Sequence, residues 1–413
     1  MANLKGVDIQ KGQLGPNRIA NDDAISGIII GAVAAENLAL DAPTTVYNLY
    51  DVENLGITAA FDKANNLVCF QHLYEFYQEA GNGTPLHIML VARAKSMSES
   101  LEASKHLLAH ARGEIRQLAI AANPATEGET AMLNGIPADV YNAISAAQTL
   151  YGWAYENHMP CQIFLEGYAY GGNASSVADL RNLDDNLQAD KVSVVIGQDW
   201  LYAESRTGKN QKYAAVGTAL GVCSKAKVYE NIGDNEKFNL TDPLRKRWIE
   251  PGLSNHKTNA QSYAELQTLE TKGYVFGVTY PGLAGVRWNN DHTSTPIVVD
   301  VDNSMNEFTV AYGRVADKAV RELRKAYLPK VKTTWNVDKS TGKLSKGTLV
   351  ALEDIGDKVF SDMQSRGEIT YGKTMVDKDS DLLVERILRI NYKIVPKGVI
   401  GEIKGILNLK VRD

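Results

Sequence analysis

The sequence predicts an α/β protein with mixed sheets, built as two domains with extended N- and C-terminal arms. Short β-branched apolar runs alternate with segments whose apolar residues recur at i, i+3 and i+4, the order expected of stacked strands and helices. At 413 residues the chain is long enough for two or more separately cored domains, and 44% hydrophobic against 23% charged residues is a globular balance. The two ends read differently from the middle: the first is polar and unpatterned, and the last alternates like a strand with nothing beside it in sequence to pair with.

Residues 1–24 hold several Gly, Asn and Asp and few large apolar side chains, and read as an extended arm. "AISGIIIGAVA" (24–34) reads as a short buried strand. In 61–79, "FDKANNLVCFQHLYEFYQE", the stripe Leu67, Phe70, Leu73, Tyr74 and Tyr77 predicts one amphipathic helix. "PLHIMLVA" completes a strand–helix–strand order. "SESLEASKHLLAHARGEI" and "ADVYNAISAAQTLYGWAYENH" read as helices, and "PCQIFLEGYAY", "KVSVVIGQD" and "YAAVGTALGVCSKAKV" alternate with them as strand and helix candidates.

"TPIVVDVD" (295–302) predicts a strand. Residues 313–328, "GRVADKAVRELRKAYL", predict a helix with Val315, Ala319, Val320, Leu323 and Tyr327 on one side, closed by Pro329. A second helix follows at 348–367, with Leu352, Ile355, Val359 and Met363 inward and Gly367 as its stop. "DLLVERILRINYKIV" puts Leu388, Ile390, Tyr392 and Ile394 on one strand face, and Pro396 and Gly398 form a hinge before the last segment. There Val399, Ile403, Leu407, Leu409 and Val411 alternate with Glu402, Lys404, Asn408, Lys410 and Arg412, the period of a half-buried strand broken only at Ile400 and Ile406. Such a strand needs a partner.

The net charge of −5 gives the chain as a whole no nucleic-acid footprint. Cys69, Cys161 and Cys223 lie far apart with no CxxC, so neither a disulfide framework nor a zinc site is expected, only buried thiols in a reducing compartment. No stretch reads as a signal peptide or approaches the ~20 apolar residues of a membrane span.

Candidate chemistry is sparse. There is no P-loop and no strand followed by GxGxxG. "GYAYGGN" (167–173) is either a phosphate-cradling loop or a tight turn. "DVDNSMNE" (300–307) begins like a calcium loop, but Met305 replaces the glycine of the sharp turn and Ala311 the bidentate carboxylate, so it reads as a solvated strand end. His106 and His110 share a helix face without a third ligand, so no metal is assigned. Glu166 is a candidate catalytic acid with no assignable partner. The 313–328 helix carries Arg314, Lys318, Arg321, Arg324 and Lys325 against Asp317 and Glu322, which suits either a docking face or a solvated one. An α/β enzyme of hydrolase type, acting through Glu166 or the 167–173 loop, is the alternative to an assembly protein.

"GYVFGVTYPGLAGVRWNNDHTS", "GRVADKAVRELRKAYLPKV", "DMQSRGEITYGKTMVD", "LLVERILRINYKIVPKG" and "GVIGEIKGILNLKV" occur in this order over about residues 270–413. The arrangement resembles the C-terminal domain of contractile tail sheath proteins from phages and contractile injection systems, although the N-terminal arm lacks the family's usual proline–glycine–valine opening. The resemblance implies an arm at 1–24, an outer α/β domain at 25–269, a sheath domain at 270–395 and a strand-exchange arm at 396–413. It implies a non-enzymatic, cofactor-free subunit that polymerises helically around an inner tail tube protein, meets baseplate and tail terminator proteins, and binds neither nucleic acid nor membrane. Such a particle would be assembled in the bacterial cytoplasm. The basic helix is the first candidate for touching the tube, and the 348–367 helix the second.

Overall fold

Strand β1 (Ser26–Ala32) is buried along its whole length in the computed structural model, which describes residues 22–124, 130–184 and 187–410. Ile28 and Ile30 point into one hydrophobic core and Ile29 into another. A strand covered on both faces needs apolar residues at every position, which explains the unbroken run "GIII". With β2 (Thr44–Val46), β3 (Leu86–Ala92), β4 (Gln117–Ala121), β5 (Gln162–Glu166) and β6 (Val192–Val195) it forms a sheet in the order β2-β3-β1-β4-β5-β6. All pairs are parallel except β2 against β3. Among the five parallel strands this is the doubly wound order 2-1-3-4-5.

Helices α1 (Cys69–Ala80), α2 (Met97–His110), α3 (Ala138–Glu156) and α4 (Val216–Lys225) cover the sheet, α1 and α4 on the face of Ile28, α2 and α3 on the other. α4 is buried on nearly every side and packs directly on the backbone of α1. A Cβ added at Gly217 would lie 2.3 Å from the His72 carbonyl oxygen, and one at Gly221 2.8 Å from that of Phe76. The glycines four apart in "GTALG" are therefore the contact surface of the helix, which is why no polar face marks it as one.

The single helix expected over 61–79 is two. Asn66 adopts a left-handed conformation (φ 48°) and ends a short helix at Ala59–Asn65. The buried Asp62 carboxylate then accepts the N–H groups of Cys69 and Phe70 at 3.0 Å, capping α1 from the preceding turn. The stripe lies wholly beyond the break: Leu67, Leu73 and Tyr77 enter the core of Ile28 and Phe70 packs against it.

Hairpin β7 (Gly277–Tyr280) and β8 (Leu283–Trp288) also belongs to the first body. Trp288 meets Trp248 edge to face at 5.2 Å, and both, with Val275 and Val286, share the core of Ile28. The boundary expected at residue 270 thus falls within a continuous core. A second core begins at α5 (Val310–Tyr327): Val315, Ala319 and Leu323 pack on Val359, Phe360 and Met363 of α6 (Lys346–Ser365) and on Ile369 of the hairpin β9 (Ile369–Val376) and β10 (Ile390–Pro396). Leu352, Val359 and Met363 face inward as their spacing requires, and Gly367 turns left-handed (φ 70°) just beyond α6.

Residues 295–302 do not form the expected strand. Thr295 and Pro296 are buried, and 297–302, apart from a single bridge between Val299 and Met305, make an exposed loop. β-branched residues supply strand propensity, but a strand needs a continuous neighbour, and among the described residues this run meets only the one bridge.

Candidate functional site

The chain enters the described structure through a single turn, Asp22–Ala24, and the body holds that turn firmly. Gln117 Nε2 and Arg314 Nη2 donate to the Asp23 carbonyl at 3.2 and 3.3 Å, and Ser224 Oγ donates to that of Ala24 at 2.6 Å. The Asp23 carboxylate receives Lys318 Nζ at 2.5 Å and Arg321 Nη2 at 3.4 Å. Burial pushes this carboxyl up, but Lys318, with Arg314 and Arg321, more than offsets it and holds it below its ordinary 3.8.

Lys318 also donates to Glu368 at 2.6 Å, and Glu368 immediately precedes β9. Arg366 ties Glu368 to Glu322 of α5. In the hairpin register Ile369 faces Pro396, beyond which the last segment departs, with Lys397 Nζ resting 4.4 Å above the Tyr229 ring. Lys318 of α5 therefore ties the turn at Asp23 to the residue that leads into hairpin β9–β10. Asp317, one residue earlier, accepts from Lys191 Nζ at 3.0 Å, Tyr151 Oη at 2.9 Å and Gln162 Nε2 at 3.3 Å, fixing the helix to the sheet.

This geometry revises the reading of the basic helix. Arg314 is buried and caps the carbonyls of Ala226 and Lys227 at the end of α4, while Lys318 and Arg321 are committed to Asp23. Three of the five cations offered for tube contact are thus buried or half-buried and already committed to partners within the chain. Arg324 and Lys325 are exposed.

The last segment is the opposite case. Residues 398–410 are exposed throughout and form no helix or strand. Ile403, Leu407 and Leu409 are 85%, 90% and 96% exposed, and Val399, Ile400 and Ile406 are exposed beside them. Val411 lies outside the described residues, as do residues 1–21 of the arm expected at 1–24. Where a hinge is expected, Pro396 is held in β10 by its carbonyl's bond from Thr370 Oγ1, whereas Gly398 has nothing within 4 Å of where a Cβ would stand. Hairpin β9–β10 is a two-stranded sheet, so among the described residues both its outer edges are unpaired.

The residues considered for catalysis serve the interior. Glu166 is fully buried, accepting from Ala122 N at 2.5 Å and Ala214 N at 2.9 Å, with His72 Nε2 3.9 Å away. In the 167–173 loop, the amides of Gly167, Ala169 and Gly171 donate to Val195, Lys212 and Gly135 carbonyls, and that of Tyr170 to Ser254 Oγ, so none of the four is free to cradle an anion. An α/β enzyme would hold its ligand at the switch point beyond β1 and β4. There Arg93 spends its donors on the carbonyls of Asn65, Asn66, Asn123 and Pro124, and Lys95 pairs with Asp41. His106 and His110 are exposed, and among the described residues no three His, Cys, Asp or Glu side chains cluster to hold a metal. Nor is any described helix long and apolar enough to cross a membrane.

Glu166 provides a test of its internal role. Burial pushes its carboxyl up to about 8, with the Ala214 and Ala122 N–H groups opposing. The folded chain then keeps a proton that the unfolded chain releases near 4.5, so this group's share of stability is full below 4.5 and is lost as pH rises toward 8. Glu166→Gln removes that share. Denaturant unfolding at about pH 5 and about pH 8 should show the variant gaining on the wild type at the higher pH, and an unchanged difference refutes the assignment.

Comparison with known proteins places the chain. The model of the DUF2586 N-terminal domain matches residues 4–292 and that of the DUF2586 C-terminal domain residues 309–412. No curated protein matches. Among solved structures, chains of the anti-feeding prophage baseplate and of its contracted helical sheath each superpose with a TM-score of 0.58 at 14% identity over the whole of both chains. The sheath tail protein of Desulfitobacterium hafniense gives 0.51 at 11% identity, covering 94% of this chain and all of that one. With both of its domain models matched in order along one polypeptide, the chain belongs to the DUF2586 family and carries the fold seen in these sheath proteins.

Proposed function

We propose that this chain is the structural subunit of a contractile tail sheath, polymerising helically around an inner tube and shortening to drive that tube through a target envelope. The observation that carries the reading is the segment 398–410: a run of apolar side chains standing in solvent, on a fold shared with sheath proteins. Monomeric proteins rarely leave such a run uncovered. Strand addition to a neighbour's sheet covers it, pairs its main chain and uses its alternation for register. From Lys397 to Lys410 an extended chain spans roughly 45 Å, enough to leave its own domain.

On this reading the subunit has a rigid part and a compliant one. The ion pairs around Lys318 hold the roots of both arms to the body, while Gly398 lets the last segment swing. Subunits can then slide and rotate past one another during contraction without losing their partners. Arg324 and Lys325 are the residues of α5 available to an inner tube, with α6 as the second candidate surface. Baseplate and tail terminator proteins cap the polymer, nucleic acid and membrane take no part, and the particle is assembled in the bacterial cytoplasm.

Negative-stain microscopy of the purified chain tests the proposal. Hollow or striated cylinders are expected. A uniform small particle at every concentration, with saturable turnover of a substrate, would overturn it in favour of the enzyme reading.

A further inference from the structure

We propose that the loop at 297–305 of one copy inserts into an apolar groove of a second copy, lined by Trp335, Leu383, Leu388 and Ile390. This contact deepens the polymer reading and rests on it. It makes a head-to-tail joint separate from the arms.

The groove, of about 870 Å³, lies between the C-terminal end of α5, α6 and β10. Its floor is apolar and its rim carries three exposed cations, Lys330, Lys332 and Arg386. The loop is its complement. Ile297, Val299, Val301 and Met305 are exposed, Val301 at 98%, and they are interleaved with Asp300 and Asp302 in a stretch without a lysine or arginine. The tip is already ordered: Asn306 exchanges hydrogen bonds with Val298, and Asp300 Oδ1 accepts from Asp302 N and Ser304 N at 2.9 and 2.8 Å. A preformed acidic-apolar knob entering a cation-rimmed apolar groove loses little freedom on docking and is steered by charge.

The two features sit at opposite ends of one helix. The loop leads into the N-terminus of α5 and the groove surrounds its C-terminus, 18 residues apart and therefore roughly 27 Å. A loop cannot reach its own groove across that distance. Joining two different patches on successive copies is a heterologous contact, which propagates as an open helix where an isologous one would stop at a dimer. The exposed apolar segment 398–410 is a poorer occupant, since Lys404 and Lys410 against Glu402 leave it net basic before a basic rim, whereas the loop is acidic.

Mixing full-length Val301→Cys and Leu383→Cys chains under oxidation tests the contact, because the three native cysteines are buried. A disulfide-linked heterodimer is expected from the mixture, with neither chain linking to itself and no link from Val301→Cys to a control Tyr155→Cys. Adding Asp300→Lys and Asp302→Lys to the loop should lower the yield several-fold, and Lys330→Glu with Lys332→Glu in the groove chain should restore it. Cylinders from the wild type with no cross-link in the mixture overturn this contact and leave the polymer standing. Neither cylinders nor cross-link overturns both. Linkage of Leu383→Cys to Leu407→Cys in place of Val301→Cys overturns the loop as occupant.

Discussion

A chain cut after Gly398 is expected to fold as the full chain does and to lose polymerisation completely. Residues 398–410 are exposed, and Gly398, Gly401 and Gly405 have open space where a side chain would begin, so the cut removes no described residue of either core. Its effect on the isolated subunit should fall within the roughly 0.5 kcal/mol typical of surface changes. In the assembly, main-chain hydrogen bonds return about 1 kcal/mol each. Ordering the strand costs about 1–2 kcal/mol per residue. At about one bond per residue, ordering matches or outweighs bonding by up to about 1 kcal/mol per residue, so the favourable sign must come from burying Ile403, Leu407, Leu409 and their neighbours, at about 1.5–3 kcal/mol for each side chain fully covered. Leu407→Asp with Leu409→Asp should therefore reproduce the truncation while leaving the backbone intact. Thermal melting and sedimentation of all three chains separate folding from assembly, and cylinders of ordinary length from the truncated chain would end the arm-exchange account.

The alternation of apolar and polar side chains in the last segment is legible in sequence because it is a local pattern; its pairing with another copy is the proposal made above. The same holds for β1 and for α6, where Leu352, Val359 and Met363 recur at helical spacing and face inward. Patterns say less about what a segment meets. "TPIVVDVD" has the composition of a strand and became a loop, since pairing depends on a neighbour that composition does not specify. Residues 61–79 have one apolar stripe and became two helices, because Asn66 tolerates a left-handed backbone and Asp62 caps the helix that follows. Charge was the least legible feature. Lys318 and Arg321 look like solvated cations on a helix, yet their partner Asp23 lies almost 300 residues earlier, and nothing local announces it. The boundary read at residue 270 likewise reflected where recognisable motifs begin, whereas the core of Trp248 and Trp288 runs past it.

Two charge reversals on α5 should therefore behave as different kinds of lesion. Lys318→Glu places a carboxylate between Asp23 and Glu368, which now sit 2.5 and 2.6 Å from the ammonium. Removing one partner from a largely buried ionic cluster costs about 3–5 kcal/mol, and reversing its sign costs more. A melting temperature lower by on the order of 10 °C is expected, with loss of assembly as a consequence of a loosened junction. Arg324→Glu with Lys325→Glu should leave melting unchanged, because neither side chain is buried, and should weaken assembly on an inner tube in a salt-sensitive way. The pH response distinguishes the two further. In the wild type the lowered Asp23 carboxyl contributes stability above its ordinary 3.8 that is lost as pH falls through its folded value. In Lys318→Glu three crowded carboxylates favour protonation, so acidification from neutrality should raise stability instead. A Lys318→Glu chain that melts like the wild type, with no reversal of its response to acid, would mean that Lys318 does not hold the arm roots together. The basic helix would then be free to serve as the tube-facing surface that its composition suggests.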